Sequence, residues 1–186
     1  MNNILTLNSQ SSLLEPVSHQ VSPHHDERPL GTVIDMIVVH GISLPPGEFG
    51  TPLVEQFFCG DLNPGSHPDL LAIADLKVSS HLYIKRSGEI IQFVPFSKRA
   101  WHAGTSYFAG KTRCNDFSIG IELEGTDDLA YEFAQYQQLG IVIGLLMQAY
   151  PAIVTERIVG HEHIAAGRKT DPGPAFDWPY LKGLLA

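Results

Sequence analysis

The chain has 186 residues, 44% of them hydrophobic and 17% charged, which suits one globular domain with a real core and is too short to expect two. A formal net charge of −8 argues against a general nucleic-acid or anionic-membrane binder, because either needs a basic face. Cys59 and Cys114 lie far apart and in no CxxC arrangement, so two reduced thiols in an intracellular protein are expected rather than a disulfide framework or a metal cage.

The stretch from Met1 to Asn8 lacks the basic and apolar regions of a signal peptide. The most apolar run, Leu139 to Val154, is broken by Gln148 and Pro151 and falls short of the ~20 residues that span a bilayer. A cytoplasmic monomer with no membrane and no nucleic-acid partner is therefore expected. Residues 1–30 are rich in Asn, Ser, Gln, His and Pro without a sustained period, and predict an N-terminal arm lying on a domain of residues 31–186. Within that arm His24-His25 is expected to be a solvated pair.

Thr32 to Val39 is β-branched and almost continuously apolar, the pattern of a central strand covered on both faces. It runs into His40 and Gly41. A histidine at the end of a buried strand is well placed for a site, although a lone one would more often be a hydrogen-bonded core residue. Thr51-Pro52 predicts a helix start, with Thr51 as cap and Pro52 as first helical residue, running to Phe58. A short helix is expected over Asp69–Asp75, then a hairpin of Val78–Lys85 and Glu89–Val94 turning at Arg86-Ser87-Gly88.

Pro95 to Asn115 is irregular and carries Trp101-His102-Ala103-Gly104. The next strand, Phe117 to Glu124, puts Ile119, Ile121 and Leu123 on one face and Gly120, Glu122 and Glu124 on the other. A carboxylate among buried strand positions is costly unless it is paired or near a cation, so Glu122 calls for an explanation. A long helix is expected from Glu132 to Tyr150, its inward stripe made of Phe133, Tyr136, Gly140, Ile143 and Met147 and widened by Leu139, Val142 and Leu146. A short strand over Arg157–Gly160 and a terminal helix from Asp177 complete a mixed sheet with helices packed against it, an α/β (α+β mixed) fold.

Beyond Gly160 the segment from His161 to Gly173 gathers histidine, lysine and aspartate in a turn-rich loop. His161 and Asp171 are candidate ligands for a borderline cation, with Lys169 a fixed positive charge beside them. His40 supplies a third ligand of the right chemistry. Two imidazoles and a carboxylate leave a fourth tetrahedral position for water, the mark of a catalytic rather than structural Zn2+ site. Glu122 would then move protons and Lys169 would stabilise an oxyanion. His40 and His161 are far apart in the chain, so spacing alone only suggests this metal-assisted hydrolase. No HExxH helix is present to suggest a zinc peptidase.

Five stretches carry a more specific resemblance: Val38 to Gly50, Val78 to Leu82, Trp101 to Ser106, Cys114 to Gly125, and Gly167 to Gly173. Together they resemble the AmpD family of cytoplasmic 1,6-anhydro-N-acetylmuramyl-L-alanine amidases of Gram-negative bacteria, in order from about residue 30 to the end. The wider group includes peptidoglycan-recognition proteins and phage amidase-type lysozymes. The resemblance implies a zinc enzyme that cleaves the amide between the lactyl group of anhydro-muramic acid and L-alanine in muropeptides returned during cell-wall recycling. Where a chromosomal β-lactamase is induced by such muropeptides, it implies a lowered signal. A non-catalytic muropeptide-binding module is the alternative, but all of the family's functional positions are filled here.

The family's ligands fall on His40, His161 and Asp171, its glutamate on Glu122 and its lysine on Lys169. Arg113 matches a position expected to bind a stem-peptide carboxylate, and by residue type it is equally a solvated loop arginine. Trp101 suits the sugar or peptide, or the core. His81 and His102 are expected to be structural. Three positions depart from the pattern: Ser80 stands where wider relatives often have tyrosine, and His163 and Ala166 stand where aspartate and proline are usual.

Overall fold

The computed structural model describes residues 4–186. Four short strands come first: β1 (Thr6–Asn8), β2 (Leu13–Glu15), β3 (Ser18–His19) and β4 (His25–Asp26). Strand β5 (Met36–Ile42) precedes helix α1 (Leu53–Cys59), and β6 (Leu82–Ile84) and β7 (Ile90–Gln92) form a hairpin. The short strands β8 (Arg99–Ala100), β9 (Tyr107–Phe108) and β10 (Lys111–Thr112) lead to β11 (Ser118–Glu124) and helix α2 (Phe133–Ala149). Strand β12 (Ile158–Gly160), the single turn α3 (His161–Ile164) and helix α4 (Trp178–Leu184) close the chain.

The main sheet is mixed and six-stranded, in the order β12-β5-β11-β6-β7-β3. All its pairings are parallel except the β6–β7 hairpin. Gly88 makes that hairpin's turn at φ 85°, a conformation glycine adopts without a Cβ penalty. The alternation in β11 sorts the two faces as its sequence predicts. Ile119, Ile121 and Leu123 join Ile37, Val39, Leu82 and Ile84 in one apolar layer, covered by Tyr136, Leu139, Val142, Ile143 and Leu146 of α2 and by Leu181 of α4. The other face is covered by α1, through Val54, Phe57 and Phe58, and by loops. It also carries the polar positions.

Several elements differ from the sequence expectation. Strand β5 starts at Met36 because Thr32 N–H turns back to the Pro29 carbonyl and Val33 is exposed. Helix α1 starts at Leu53 with Pro52 at its cap position, and the Thr51 hydroxyl donates to the Leu44 carbonyl while accepting a long 3.4 Å bond from Leu53 N–H. Over 69–75 there is no α-helix, only a 3-10 turn at Pro68–Leu70 followed by turns. Leu70 is buried and Ile73 packs beside it, but Leu71 and Leu76 are exposed, so the segment is pinned at two points without the continuous apolar stripe that sustains a helix. In α2, Phe133 is 60% exposed; the stripe that packs inward runs from Tyr136 to Leu146.

Residues 4–30 are tied to the rest at many points. Leu14 is fully buried in the main core, and its N–H donates to Gln92 Oε1 at 2.8 Å. Strand β3 adds an edge to the main sheet. His24 and His25 are half-buried rather than solvated, with His24 Nδ1 3.0 Å from the Val78 carbonyl and His25 Nδ1 2.7 Å from that of Ser22. Arg28 donates to the backbone carbonyls of Phe96, Asn115, Asp116 and Ser118.

Candidate metal centre

Register brings the polar residues together. Glu122 of β11 lies beside His40 of β5 and Tyr83 of β6, so the three share one row and one face of the sheet. Gly160 pairs with Val39, and the chain therefore emerges from β12 with His161 next to His40. These are carboxyl ends of parallel strands, where open α/β sheets commonly form their binding crevices. The loop after α3 then returns, and Glu162 N–H donates to the Asp171 carbonyl at 3.0 Å, which places Asp171 opposite the histidines.

Three ligand-type atoms converge. His40 Nδ1 lies 3.0 Å from His161 Nδ1, and each is 3.1 Å from Asp171 Oδ2. His40 is 1% and His161 4% exposed, so water does little to separate these groups. The donor chemistry fits a cation. Arg168 Nη2 spends its two hydrogens on the carbonyls of Ala103 and Thr105, at 2.7 and 2.8 Å. His161 Nε2, 3.2 Å from the Ala103 carbonyl, must therefore carry its own hydrogen towards that oxygen, since a carbonyl only accepts. The Nδ1 lone pair of His161 then faces a carboxylate oxygen, an arrangement of acceptors that a cation relieves.

Glu122 lies at the edge of this cluster, with Oε1 4.0 Å from His40 Nδ1. Its Oε2 is buried without a hydrogen-bond partner. Burial, together with the nearby Asp171 charge, raises the Glu122 carboxyl well above the usual carboxylate range, while Lys169 pulls it back down. Burial also pushes His40 down to about 4 and drives His81 and His102 well below the ordinary histidine value.

A cavity of about 460 Å³ opens above the row. Its floor holds His40, Glu122, His161 and Asp171, and its apolar wall includes Leu44, Phe57 and Trp101. Lys169 and Arg168 line it from the final loop. The Trp101 indole N–H donates to Asp26 Oδ1 at 3.2 Å, and its ring stacks on His24, so residues of the first thirty hold this wall. Arg113 is not among the lining residues. It projects 68% exposed from a backbone at φ 60° and pairs with Asp116 at 3.1 Å.

The three departures from the family pattern have defined places. The Ser80 hydroxyl is buried and donates to the Gly120 carbonyl at 2.7 Å. His163 is turned away from the cluster: its Nδ1 accepts from Gly160 N–H at 2.9 Å and its ring meets the edge of Trp178. Ala166 is exposed. Two further residues belong to the site without a distinctive motif to mark them, Arg168 and Ser118. Ser118 was signalled by the same alternation as Glu122, being two positions before Gly120 on the same face; Arg168 was signalled only by its place beside Lys169.

The N-acetylmuramoyl-L-alanine amidase family model matches residues 30–174, which include every residue of the cluster. The chain belongs to that family of amidases. It is 58% identical over 165 residues to the 1,6-anhydro-N-acetylmuramyl-L-alanine amidase AmpD of Salmonella typhimurium strain SL1344, covering 89% of this chain and 88% of the relative. A selenomethionine AmpD crystal structure superposes with a TM-score of 0.92 at 53% identity, covering 95% of this chain and 98% of the other. A more distant amidase, AmiD from Escherichia coli, was solved with the substrate anhydro-N-acetylmuramic acid-L-Ala-D-gamma-Glu-L-Lys; it matches with a TM-score of 0.61 at 30% identity, covering 85% of this chain and 60% of the other. Among the described residues of this amidase no helix is long and apolar enough to cross a membrane.

Proposed function

We propose that this amidase hydrolyses the amide between the lactyl group of 1,6-anhydro-N-acetylmuramic acid and L-alanine in muropeptides, using Zn2+ held by His40, His161 and Asp171. The observation that carries the reading is the convergence of those three ligand atoms beside an unpartnered buried carboxylate oxygen of Glu122. A zinc ion in such a site supplies Lewis acidity, lowering the pKa of a water towards ~7 and polarising a carbonyl.

The chain's own groups do the rest. Glu122, with its raised proton affinity and free Oε2, takes a proton from the attacking water and delivers it to the alanine nitrogen as the carbon–nitrogen bond breaks. The products are a lactyl carboxylate and a peptide amine. Lys169 holds positive charge at the cavity, where negative charge gathers on the acyl oxygen. Trp101 supplies an apolar wall for sugar or peptide. Arg113, exposed on its loop and paired with Asp116 through Nε, keeps its outer guanidinium edge for a stem-peptide carboxylate at the periphery.

We assign residues 1–30 as an arm on a catalytic domain of residues 31–186, a division supported by the family match beginning at residue 30. A cytoplasmic location accords with the two unpaired cysteines, Cys59 and Cys114. The deciding experiment measures zinc content together with turnover of anhydro-muramyl tripeptide, with products identified by mass spectrometry. One zinc and cleavage only at the lactyl–alanine bond are expected. Tight binding of the muropeptide by zinc-loaded protein without cleavage would make it a recognition module instead.

A further inference from the structure

Behind His40 runs a chain of polar atoms whose hydrogens can be assigned one after another. It ends at the Cys114 carbonyl, which only accepts, and which lies 2.6 Å from the Ser118 hydroxyl oxygen. At that separation the serine hydrogen must lie between the two oxygens, because the alternative sets lone pair against lone pair. Ser118 Oγ has no second hydrogen for His102 Nε2, which is 3.1 Å away, so that nitrogen must be the donor. His102 is buried with no carboxylate within hydrogen-bond reach to hold a second hydrogen, so Nε2 bears its only one and Nδ1 carries a lone pair. His40 Nε2 lies 3.0 Å from that lone pair and must donate to it. The remaining nitrogen of His40, Nδ1, is thereby left as a lone pair facing Asp171 and His161.

We propose that His102 and Ser118 form a one-directional hydrogen-bond relay, from His40 Nε2–H to the Cys114 carbonyl, that fixes His40 in its metal-binding tautomer. The inference rests on the ligand assignment above. His102 and Ser118 are positioning residues, since neither lies among the three ligand atoms.

The surroundings are built to hold the relay. The two rings meet edge to face, 5.1 Å apart at 85°. A Cβ at position 120 would collide with the His102 ring, so Gly120 is what lets that ring sit against β11. Asn115 Oδ1 accepts from the backbone N–H groups of both His102 and Ala103, at 3.1 and 2.7 Å. The Ala103 carbonyl in turn accepts from His161 Nε2–H. Two adjacent residues clamped by one asparagine thus set the tautomers of both ligand histidines, one through a side chain and the other through a carbonyl.

The test compares wild type with His102→Ala, His102→Asn and Ser118→Ala. Zinc affinity is measured by competition with a chromophoric chelator, and histidine tautomers of the metal-free proteins by long-range 15N–1H correlation. In wild type the spectra should show His40 protonated at Nε2 and His102 at Nε2. His102→Ala should weaken zinc binding by about 10- to 100-fold, the range for loss of an outer partner of a ligand histidine. His102→Asn, whose side-chain oxygen can replace the lost acceptor, should recover most of it. Ser118→Ala removes a single oxygen, and should cost about 2- to 10-fold while letting His102 sample both tautomers. Wild-type affinity in both His102→Ala and Ser118→Ala would overturn the relay, as would His102→Asn as weak as His102→Ala. Should His102→Ala fail to fold, Ser118→Ala and the wild-type spectra decide alone. Wild type that binds no zinc would defeat the metal assignment instead, and the metal-free spectra would still judge the relay.

Discussion

The two faces of the central sheet share the same strands and follow opposite rules. On the α2 face, Ile37, Val39, Ile119, Ile121 and Leu123 meet Leu139, Val142, Ile143 and Leu146 in a dry apolar layer. On the other face Met36 and Val38 are apolar, but the alternate positions of the same strands also include His40, Ser118, Gly120 and Glu122. Each buried polar group there needs a partner, and the partners come from loops as remote as residues 102, 115 and 171. One face provides stability through area alone; the other adds to its apolar clusters groups whose burial is costly and whose arrangement is worth the cost only for chemistry.

Substitutions on the two faces should therefore fail differently. Glu122→Gln should keep its zinc and its fold but lose about 10²- to 10⁴-fold in kcat, the usual contribution of a positioned general acid–base. Asp171→Ala should lose zinc and turnover together, since two imidazoles alone make a poor site. Metal analysis beside steady-state kinetics separates the two outcomes, and near-normal turnover by Glu122→Gln would remove it from the reaction. Leu139→Ala on the opposite face should cost about 2–5 kcal/mol in urea unfolding while leaving kcat and zinc content unchanged. A kcat loss in that variant, measured where it is fully folded, would break the division between faces.

Acid should expose the same contrast without mutation. In the metal-free protein His40 is held to about 4, and His81 and His102 well below the ordinary value, by burial. Their unfolded pKa is near 6.5, so below that pH the unfolded chain binds protons that the fold refuses, and stability falls as pH falls. Three such groups give a slope of about 4 kcal/mol per pH unit. Glu122 works in the opposite sense above its unfolded pKa, because the fold holds its proton more tightly, and offsets about a third of that slope. Urea titrations at about pH 6 and 5 should show the fall. A flat profile would mean that these imidazoles are already protonated in the fold.

The α2 face was legible in the sequence because a period of two in β11 and a helical stripe in α2 are local signals. Its one misreading, Phe133, sits in the first turn, where the stripe's angle no longer points at the sheet. The site face was legible only in its chemistry. His40, His161, Asp171 and Glu122 could be chosen by residue type and by resemblance, but their meeting depends on strand order, which no local pattern carries. Ser118 shares the alternation of Glu122 but stands at the strand's first position with nothing to mark it, and its bond to His102 depends on how an irregular loop folds back. The same is true of His24 and Asp26. Their polar, aperiodic segment gave no sign that they support Trp101 at the cavity wall.

That support gives the smallest expected effect and the most specific one. Trp101 donates its indole N–H to Asp26, which is also held by Arg99, and it lines the cavity away from the ligand atoms. Trp101→Phe keeps an aromatic wall and deletes this one bond, whose net value is about 0.5–1.5 kcal/mol. If the bond aims the ring at bound substrate, KM should rise about 2- to 10-fold while kcat and zinc content stay put. Asp26→Asn, whose carbonyl oxygen can still accept from the indole, should show a smaller rise. A change confined to kcat would mean that this wall acts on the reacting groups and not on binding, and that the first thirty residues reach the chemistry itself.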